Sequence, residues 1–396
     1  AGAVQDMLVL FFSMRRGGRS LGQMATDEIG RIGGIVATIV VFVMLMIVLA
    51  VLAMVCVNAL AASPWGVFSV GMTIPIAIGM GLWLRFVQPG KITQVSFVGF
   101  GLLIAVIIGG RWVAESSFGH YLHLSPKTLV WAMIIYGFLA AVLPVWVLLT
   151  PRDYLSTFMK VGTITILALG IIIVRPLVEM SAVTEFAFNT AGPVFAGTLF
   201  PFLFITIACG ALSGMHAMVS SGTSPKMVEK ETQVRMIGYG GMLMESFVAI
   251  MALAAAVSLS PGIYFSMNTS TATMNKLAGP ETVAAAPCKT TDDPEHHCEK
   301  LAEVAVGNLG VTDAQGRKPT PEWDSWDDNG NPKTYTGAEA LERLASDVGE
   351  PNVVSRTGGA PTLSVGIAHI LHQIGGGRAM MGFWYHFAIM FEALFI

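Results

Sequence analysis

The sequence predicts an all-α protein that crosses a membrane several times, and its composition carries this prediction. Apolar residues make up 54% of the 396 residues and charged residues only 12%, about half the charged share of a typical soluble domain. The mean hydropathy is +0.65, and apolar runs of about 20 residues recur along the chain. As a helix, a run of that length spans the hydrocarbon core of a bilayer.

The candidate membrane helices follow one another from end to end. Two apolar stretches, Ala1 to Met14 and Met381 to Ile396, touch the ends of the sequence, so we expect a chain truncated at both ends. Between them lie residues 33–60, 64–84, 94–114, 128–149, 159–179, 197–219 and 236–259. Short loops rich in Gly, Pro or charge separate these stretches.

Basic residues are distributed unequally between alternate loops. One side carries eleven Lys and Arg residues and the other only three. Because Lys and Arg are retained on the cytoplasmic side, we assign the richer side to the cytoplasm. The chain then divides into a helical body (1–259), an extracytoplasmic insertion (260–360), and a half-helix followed by a membrane helix (361–396). The half-helix, 361–376, is too short to span a bilayer comfortably.

The insertion is acidic and water-soluble in composition. Residues 264–360 hold 15 of the 26 acidic residues but only 8 of the 23 basic residues. Residues 336–348 predict an amphipathic helix. The composition of residues 310–335 predicts a turn-rich segment, in which Trp323 and Trp326 are the large apolar side chains that could anchor it.

Two of the four cysteines lie in the insertion. An oxidising compartment would favour a disulfide between Cys288 and Cys298. A metal site is the alternative, because His296, His297 and Cys298 are contiguous, but no further ligand follows at a recognisable spacing. We favour the disulfide and expect no resident metal ion.

The segment from Gly210 to Thr223 interrupts an apolar helix with residues that weaken helices. We expect it to unwind at membrane depth and to offer backbone N–H groups and side chains to a solute. The alternative is close helix packing, because Gly210 and Gly214 have the GxxxG spacing. The candidate binding residues are Gly210, Ser213, Gly214, His216, Ser220, Ser221, Gly222 and Thr223.

Ionisable residues inside apolar segments are a second signal of function. A charged side chain at the centre of a membrane helix costs about 2.5 to 3.5 kcal/mol on the insertion scale. His216 and Glu245 are therefore candidates for a proton-coupling pair. The alternative for Glu245 is a position near the cytoplasmic end, where Arg235 or Ser246 neutralises it.

Four separated stretches resemble the carbon starvation protein A family. They are GAVQDMLVLFFSMRRGGRSLGQ near the start, FPFLFITIACGALSGMHAMVSSGTSPK at 200–226, SPGIYFSMN at 260–268 and FWYHFAIMFEALFI at the end. The resemblance implies a bacterial inner-membrane importer of pyruvate or small peptides, driven by protons and serving the response to nutrient starvation.

The resemblance also implies a fold and two further residues. The implied core is related to the amino acid, polyamine and organocation transporters, with discontinuous helices and LeuT-like inverted repeats. His386 and Glu392, in the terminal motif, become proton-coupling candidates. Residues 281–335, with their two cysteines, depart from the expected family pattern. The resemblance does not distinguish pyruvate from peptides.

Three classes of function are possible for a chain of this kind. A secondary transporter accounts for the broken helix, the buried ionisable residues and the lack of a GxxxxGK[ST] signature. A membrane-embedded enzyme would need convergent catalytic groups, and a nutrient receptor or sensor would need a signalling domain. We therefore predict a transporter and no enzyme. We expect protons, lipid and a small solute as partners, no nucleic acid and no cofactor, and an undefined oligomeric state.

Overall fold

A computed structural model describes residues 1–61, 63–87, 92–144, 147–285, 288, 297–327, 330–374 and 377–395. The chain forms two compact units. The first comprises Ala1–Leu52, Phe186–Gly192 and Ala196–Ala252, and the second comprises Ala53–Glu185, Pro193–Phe195 and Leu253–Ile396. These units do not follow the predicted division at residues 259 and 360, which concerns sides of a membrane and stays a prediction.

Helices dominate both units. In chain order the elements begin with α1 (Gly2–Arg15), α2 (Leu21–Ile29), α3 (Arg31–Leu60), α4 (Pro64–Leu82), α5 (Ile92–Glu115), α6 (Gly119–Leu122), α7 (Pro126–Val142), α8 (Leu149–Val174), α9 (Leu199–Ala211) and α10 (Gly214–Gly222). They continue with α11 (Gly240–Val257), α12 (Pro261–Asn268), α13 (Thr271–Ala278), α14 (Pro280–Ala285), α15 (His297–Gly307), β1 (Glu322–Trp326), β2 (Pro332–Thr336), α16 (Ala338–Val348), α17 (Ala360–His372) and α18 (Gly377–Phe395).

Five helical segments of the described chain are long and apolar enough to span a membrane. They are Arg31–Leu60, Pro64–Val87, Thr93–Glu115, Thr150–Val174 and Glu231–Val257. Each overlaps a predicted stretch, so the mainly helical character of the chain is confirmed, with several helices that could each cross a membrane. Two further apolar helices, Pro126–Val142 and Leu199–Ala208, are shorter than these.

Two predicted helix ends were wrong, and a nearby proline explains each difference. The predicted helix 128–149 ends at Val142, because Pro144 disfavours helical geometry at the residue before it. Leu143 is accordingly extended, with φ −66° and ψ 149°. The predicted helix 159–179 instead ends at Val174, where Arg175 adopts a left-handed conformation (φ 50°) immediately before Pro176.

The first unit contains α1, α2, α9, α10 and most of α3 and α11. A capping box starts α2: Ser20 accepts the Gln23 N–H, and the Gln23 side chain accepts the Ser20 N–H. A π-helical turn, Arg235–Tyr239, precedes α11. Helix α10 packs against α1 and α2, and α1 also packs against the π-helical turn. These contacts bring α1, α10 and the start of α11 together.

The second unit is built on α17 and α18, which pack against each other. Helix α18 also contacts α4, α8 and α16. Gly366 permits a close helix approach on α17, because a Cβ there would lie 2.4 Å from the Ala255 carbonyl oxygen. At 13 residues, α17 is about 20 Å long. This is shorter than a bilayer core, as its sequence predicts.

The insertion contains a helix that the sequence predicts, together with a hairpin and the helices α12 to α15, which the sequence does not predict. Helix α16 runs over Ala338–Val348 and begins after Gly337. Strands β1 and β2 pair antiparallel, with Trp323 opposite Tyr335. Residues 310–321 are turns and irregular backbone, as predicted, and the two strands are the part of 310–335 that the prediction did not include. Trp323 is nevertheless a buried anchor, as predicted, and its indole N–H donates to Asp347 Oδ2 at 3.1 Å.

A buried ion pair connects the loop after α16 to the start of α4. The Arg356 guanidinium donates to Glu350 Oε2 at 2.9 Å, and the Ser63 hydroxyl donates to Glu350 Oε1 at 2.7 Å. The side chains of Arg356 and Glu350 are only 4% and 1% exposed. Since Ser63 also caps α4 by accepting the Gly66 N–H, this network fixes where that helix begins.

Cys288 and Cys298 are joined by a disulfide, which agrees with the pairing that the sequence favours. Their Cα atoms lie 4.6 Å apart, and Cys298 is in the first turn of α15. The alternative metal site used the Cys298 sulfur, which this bond occupies. His296, the other end of that site, lies outside the described residues.

We predict that the disulfide controls the thiol chemistry of the insertion. In unreduced protein, an alkylating reagent should leave Cys288 and Cys298 unlabelled, and after reduction both should gain its mass. Opening this short loop should cost about 2 to 3 kcal/mol of unfolding free energy. The matched control is the Cys288→Ser, Cys298→Ser double variant, in which reduction should change neither the mass of the segment nor the melting temperature. Labelling of both cysteines without reductant would contradict the bridge.

Candidate functional site

The helix that the sequence expects to break does break, over a shorter length than predicted. Leu212 (φ −151°, ψ 91°) and Ser213 (φ −90°, ψ 122°) are extended and separate α9 from α10. The prediction of unwinding from Gly210 to Thr223 was too wide, because α9 continues through Gly210 and α10 is helical to Gly222. Ser213 explains the short break: its hydroxyl accepts the His216 N–H at 3.3 Å and restarts the helix at once.

Backbone carbonyls at the break and in α10 accept hydrogen bonds from side chains of α1. The Gln5 side chain of α1 donates to the Ser213 carbonyl at 3.2 Å. The Ser13 hydroxyl, also on α1, donates to the Ser221 carbonyl at 3.1 Å. Gly214 faces Met44 on α3, where an added Cβ would lie 3.0 Å from the sulfur. The packing alternative therefore has support at Gly214, alongside the break.

Both nitrogens of the His216 ring face carboxylates. Nδ1 lies 3.0 Å from Asp6 Oδ2 on α1, and Nε2 lies 3.1 Å from Glu245 Oε2 on α11. The exposed fractions of the side chains rise from 8% for Asp6 through 25% for His216 to 44% for Glu245. The structure thus brings together the predicted pair and adds a third ionisable group. We call these three residues the carboxylate–histidine cluster.

Asp6 is a site residue that was not among the candidates predicted from the sequence. Its signal was a carboxylate within the apolar helix α1, the same signal that singled out Glu245. The alternative for Glu245 was neutralisation by a neighbour on its own helix. Its contact is instead with His216, while the Ser246 hydroxyl donates to the Met242 carbonyl at 3.0 Å.

Two cavities adjoin α10 in the first unit. The proton-side cavity, about 200 Å³, is lined by Asp6, Leu10, His216, Val219, Ser220, Ser224, Ile237, Gly238, Gly241, Met242 and Glu245. The hydroxyl-lined cavity, about 290 Å³, is lined by Ser20, Leu21, Gly22, Thr38, Val41, Leu45, Met218, Val219, Ser221, Gly222 and Thr223.

The predicted binding residues are distributed between these two cavities and the helix break. His216 and Ser220, four residues apart on one face of α10, line the first cavity. Ser221, Gly222 and Thr223 line the second. Ser213 and Gly214 lie at the break itself, and for Gly210 the structure describes only its place in α9.

The other two proton-coupling candidates belong to the second unit. His386 is fully buried on α18 and stacks on the Trp65 indole, with ring centroids 3.8 Å apart. Glu392, also buried, accepts a hydrogen bond from the Ser364 hydroxyl at 3.2 Å. Neither is part of the carboxylate–histidine cluster, and their role in proton coupling stays a prediction.

Comparison with known proteins identifies the family. The sequence profile described as "Carbon starvation protein CstA" matches residues 1–320 and 325–396. The chain belongs to this family. The expectation that residues 281–335 depart from the family pattern was wrong, since the match omits only four residues there. No solved structure matches the chain.

Three relatives show what the chain is similar to. "Peptide transporter CstA" of Mycobacterium tuberculosis (strain H37Rv) is 52% identical over all of this chain and 47% of its own length. "Peptide transporter CstA" of Escherichia coli K12 is 50% identical over 51% of its length. "Pyruvate/proton symporter BtsT" of Escherichia coli K12 is 47% identical over 52% of its length. The chain therefore spans about half the length of these relatives.

Gly238 sets the approach of α1 to the cluster, and this can be tested. A Cβ at Gly238 would lie 2.7 Å from Met7 Cα and 2.9 Å from Met7 N, which are backbone atoms next to Asp6. Gly238→Ala should therefore push α1 away and cost about 1 to 3 kcal/mol. The matched control is Gly240→Ala, because a Cβ there meets nothing within 4 Å and alanine favours a helix. Melting temperatures in detergent should fall for Gly238→Ala alone, and equal values would contradict the close approach.

Proposed function

We propose that the chain is part of a proton-coupled secondary transporter that imports pyruvate or small peptides across the bacterial inner membrane. The observation that carries the proposal is a histidine held between two carboxylates beside a helix break, in a chain of membrane-length helices. Such a cluster can take up and release protons, and a break leaves polar groups for a solute. The printed names of the relatives, a peptide transporter and a pyruvate/proton symporter, support this function.

The arrangement suits coupling because α10 borders both cavities. Protons would exchange in the cavity with His216, and the solute would bind in the hydroxyl-lined cavity beside Thr38 and Thr223. Val219 lines both cavities. A shift of this one nine-residue helix would alter both cavities together, so no long chain of contacts is needed.

The size of the hydroxyl-lined cavity favours the keto acid over a peptide. Its volume of about 290 Å³ lies at the lower end of the range for small-molecule sites, roughly 300 to 1,000 Å³. Pyruvate carries only acceptor oxygens, which hydroxyl donors suit. Two of these hydroxyls are already engaged as donors, because Ser221 donates to the Ala217 carbonyl at 2.8 Å and Thr38 donates to the Gly34 carbonyl at 2.9 Å.

An enzymatic function is less well supported. A hydrolytic triad needs a nucleophilic hydroxyl on the histidine nitrogen opposite the carboxylate. Here Glu245 takes that place, so both sides of His216 hold acids. The cluster is organised for proton exchange and lacks the nucleophile contact of a triad.

The side of the membrane and the fold type are part of the proposal. We place residues 260–360 outside the cytoplasm, on the periplasmic side, because the basic residues gather in the opposite loops. The short break between α9 and α10 supports a relation to transporters with discontinuous, LeuT-like helices. The family name supports a role in carbon starvation.

Uptake into proteoliposomes tests the function directly. We expect labelled pyruvate to accumulate when an inward proton gradient is imposed, and accumulation to fall when the gradient is collapsed with an ionophore. A labelled dipeptide, assayed in parallel, decides between the two solutes. Equal uptake with and without the gradient would point to a facilitator, and no uptake of either solute would overturn the proposal.

Replacing Glu245 tests the cluster within that assay. Glu245→Gln keeps the shape of the side chain and removes its acid, so the dependence of uptake on the proton gradient should weaken or vanish. The matched control is Ser246→Ala, which removes a hydroxyl bonded to the Met242 backbone and leaves the cluster intact. If Glu245→Gln keeps the gradient dependence of the parent protein, Glu245 has no part in coupling.

A further inference from the structure

The contacts of His216 fix how many protons the cluster must hold. A neutral imidazole has one N–H donor and one acceptor nitrogen, and an ionised carboxylate only accepts. Carboxylate oxygens lie 3.0 Å and 3.1 Å from the two ring nitrogens. If the ring were neutral and both carboxylates ionised, the nitrogen without a proton would face a carboxylate oxygen, and two acceptors cannot form a hydrogen bond. Both hydrogen bonds therefore require two protons among the three side chains. Either the ring carries both, or the ring carries one and a carboxyl carries the other.

The two bonds differ in their access to water. Asp6 is only 8% exposed, and its second oxygen, Oδ1, is buried without a hydrogen-bond partner in the described part of the chain. An ionised carboxylate in that position is costly unless a proton on His216 or on Asp6 itself compensates. Glu245 is 44% exposed and lines the proton-side cavity, where its carboxylate can be solvated when its bond breaks. When one proton is lost, the bond to Asp6 persists and the bond to Glu245 opens.

We propose that Asp6 is a positioning residue that turns the His216–Glu245 contact into a proton-dependent clasp between α10 and α11. Asp6 holds the ring through Nδ1, so Nε2 can bond Glu245 only while the cluster holds two protons. Loss of one proton opens the clasp and admits water to the proton-side cavity. This inference rests on the proposed function, and it adds the residue and the proton count that make the cluster a switch.

The charges around the cluster agree with this role. Of the described residues that line the proton-side cavity, only Asp6, His216 and Glu245 have an ionisable side chain, and Ser220 and Ser224 add hydroxyls. The basic residues at the C-terminal end of α1 are engaged elsewhere: Arg15 pairs with Glu231, and Arg16, just after the helix, pairs with Glu28. Two further ionisable residues, Arg235 and Tyr239, lie in the π-helical turn before α11. A third, Lys226, packs beside Gly18.

Opening the clasp also changes the charge that a solute meets. With two protons the cluster carries one net negative charge, and with one proton it carries two. An anionic solute in the neighbouring cavity is therefore favoured in the closed, doubly protonated state. Protonation and binding of an acid such as pyruvate would reinforce each other.

Cysteine labelling can follow the clasp without any solute. Gly241 lines the proton-side cavity and has room for a side chain, since a Cβ there meets nothing within 4 Å. Gly241→Cys would be placed in a background with Cys56→Ser and Cys209→Ser, with the disulfide retained. Gly240→Cys, at an equally open position, serves as the reference. The ratio of their labelling rates by a small charged thiol reagent removes most of the effect of pH on thiol reactivity.

We expect this ratio to rise several-fold between about pH 5 and about pH 8, the range in which histidine side chains change charge. In Asp6→Asn the ratio should stay low throughout, because Asn can donate to Nδ1 and leave a neutral ring free to donate to Glu245. In Asp6→Ala the ring loses its support, and the ratio should be high at both pH values. A structural role alone predicts that Asp6→Asn keeps the pH response of the parent protein, and that result would overturn the inference.

The labelling result separates the clasp from the proposed function. If proteoliposomes take up neither solute while labelling shows the expected pattern, the transport proposal fails and the clasp stands. If uptake depends on the proton gradient but Asp6→Asn changes neither that dependence nor the labelling ratio, the clasp fails and the transport proposal stands. Glu245→Gln gives an independent check of folding and position, since its amide can also bond a neutral ring and should keep the ratio low.

Discussion

Carboxylates hold both ring nitrogens of His216, and that arrangement constrains three helices at once. Asp6 belongs to α1, His216 to α10 and Glu245 to α11, so the positions of these helices depend on the protons that the three side chains share. The rest of the first unit makes the contact possible. Gly238 lets the α1 backbone approach, and Ser213 restarts α10 so that His216 lies in its first turn.

The helix break is short because buried backbone groups without a partner are costly. An N–H or C=O left unpaired away from water forfeits the free energy of a hydrogen bond, which favours the smallest break. Here two extended residues suffice, and side chains from α1 and from Ser213 itself supply the missing partners. The short break redirects the chain, and α10 can then present different residues to two cavities.

The sequence predicts the membrane helices well because each needs a long apolar run. It predicts their ends less well, since boundaries depend on single residues such as Pro144 and Arg175. The hairpin that pairs Trp323 with Tyr335 is not predicted from the sequence, because its strands are only five residues long and rich in polar side chains. The His216–Glu245 pair could be predicted from the cost of burying charge. Which carboxylate completes it could not, because Asp6 is 210 residues away in sequence.

The buried pair of Glu350 and Arg356 has a consequence for how this family can vary. Removing one partner leaves a charge buried alone, at a cost of about 3 to 5 kcal/mol, whereas replacing both with apolar residues is often neutral. Selection should remove single substitutions at either position, so the two residues should be replaced only together. Lineages that lack the glutamate should therefore also lack the arginine, whereas the serine that starts α4 would still be needed to cap that helix.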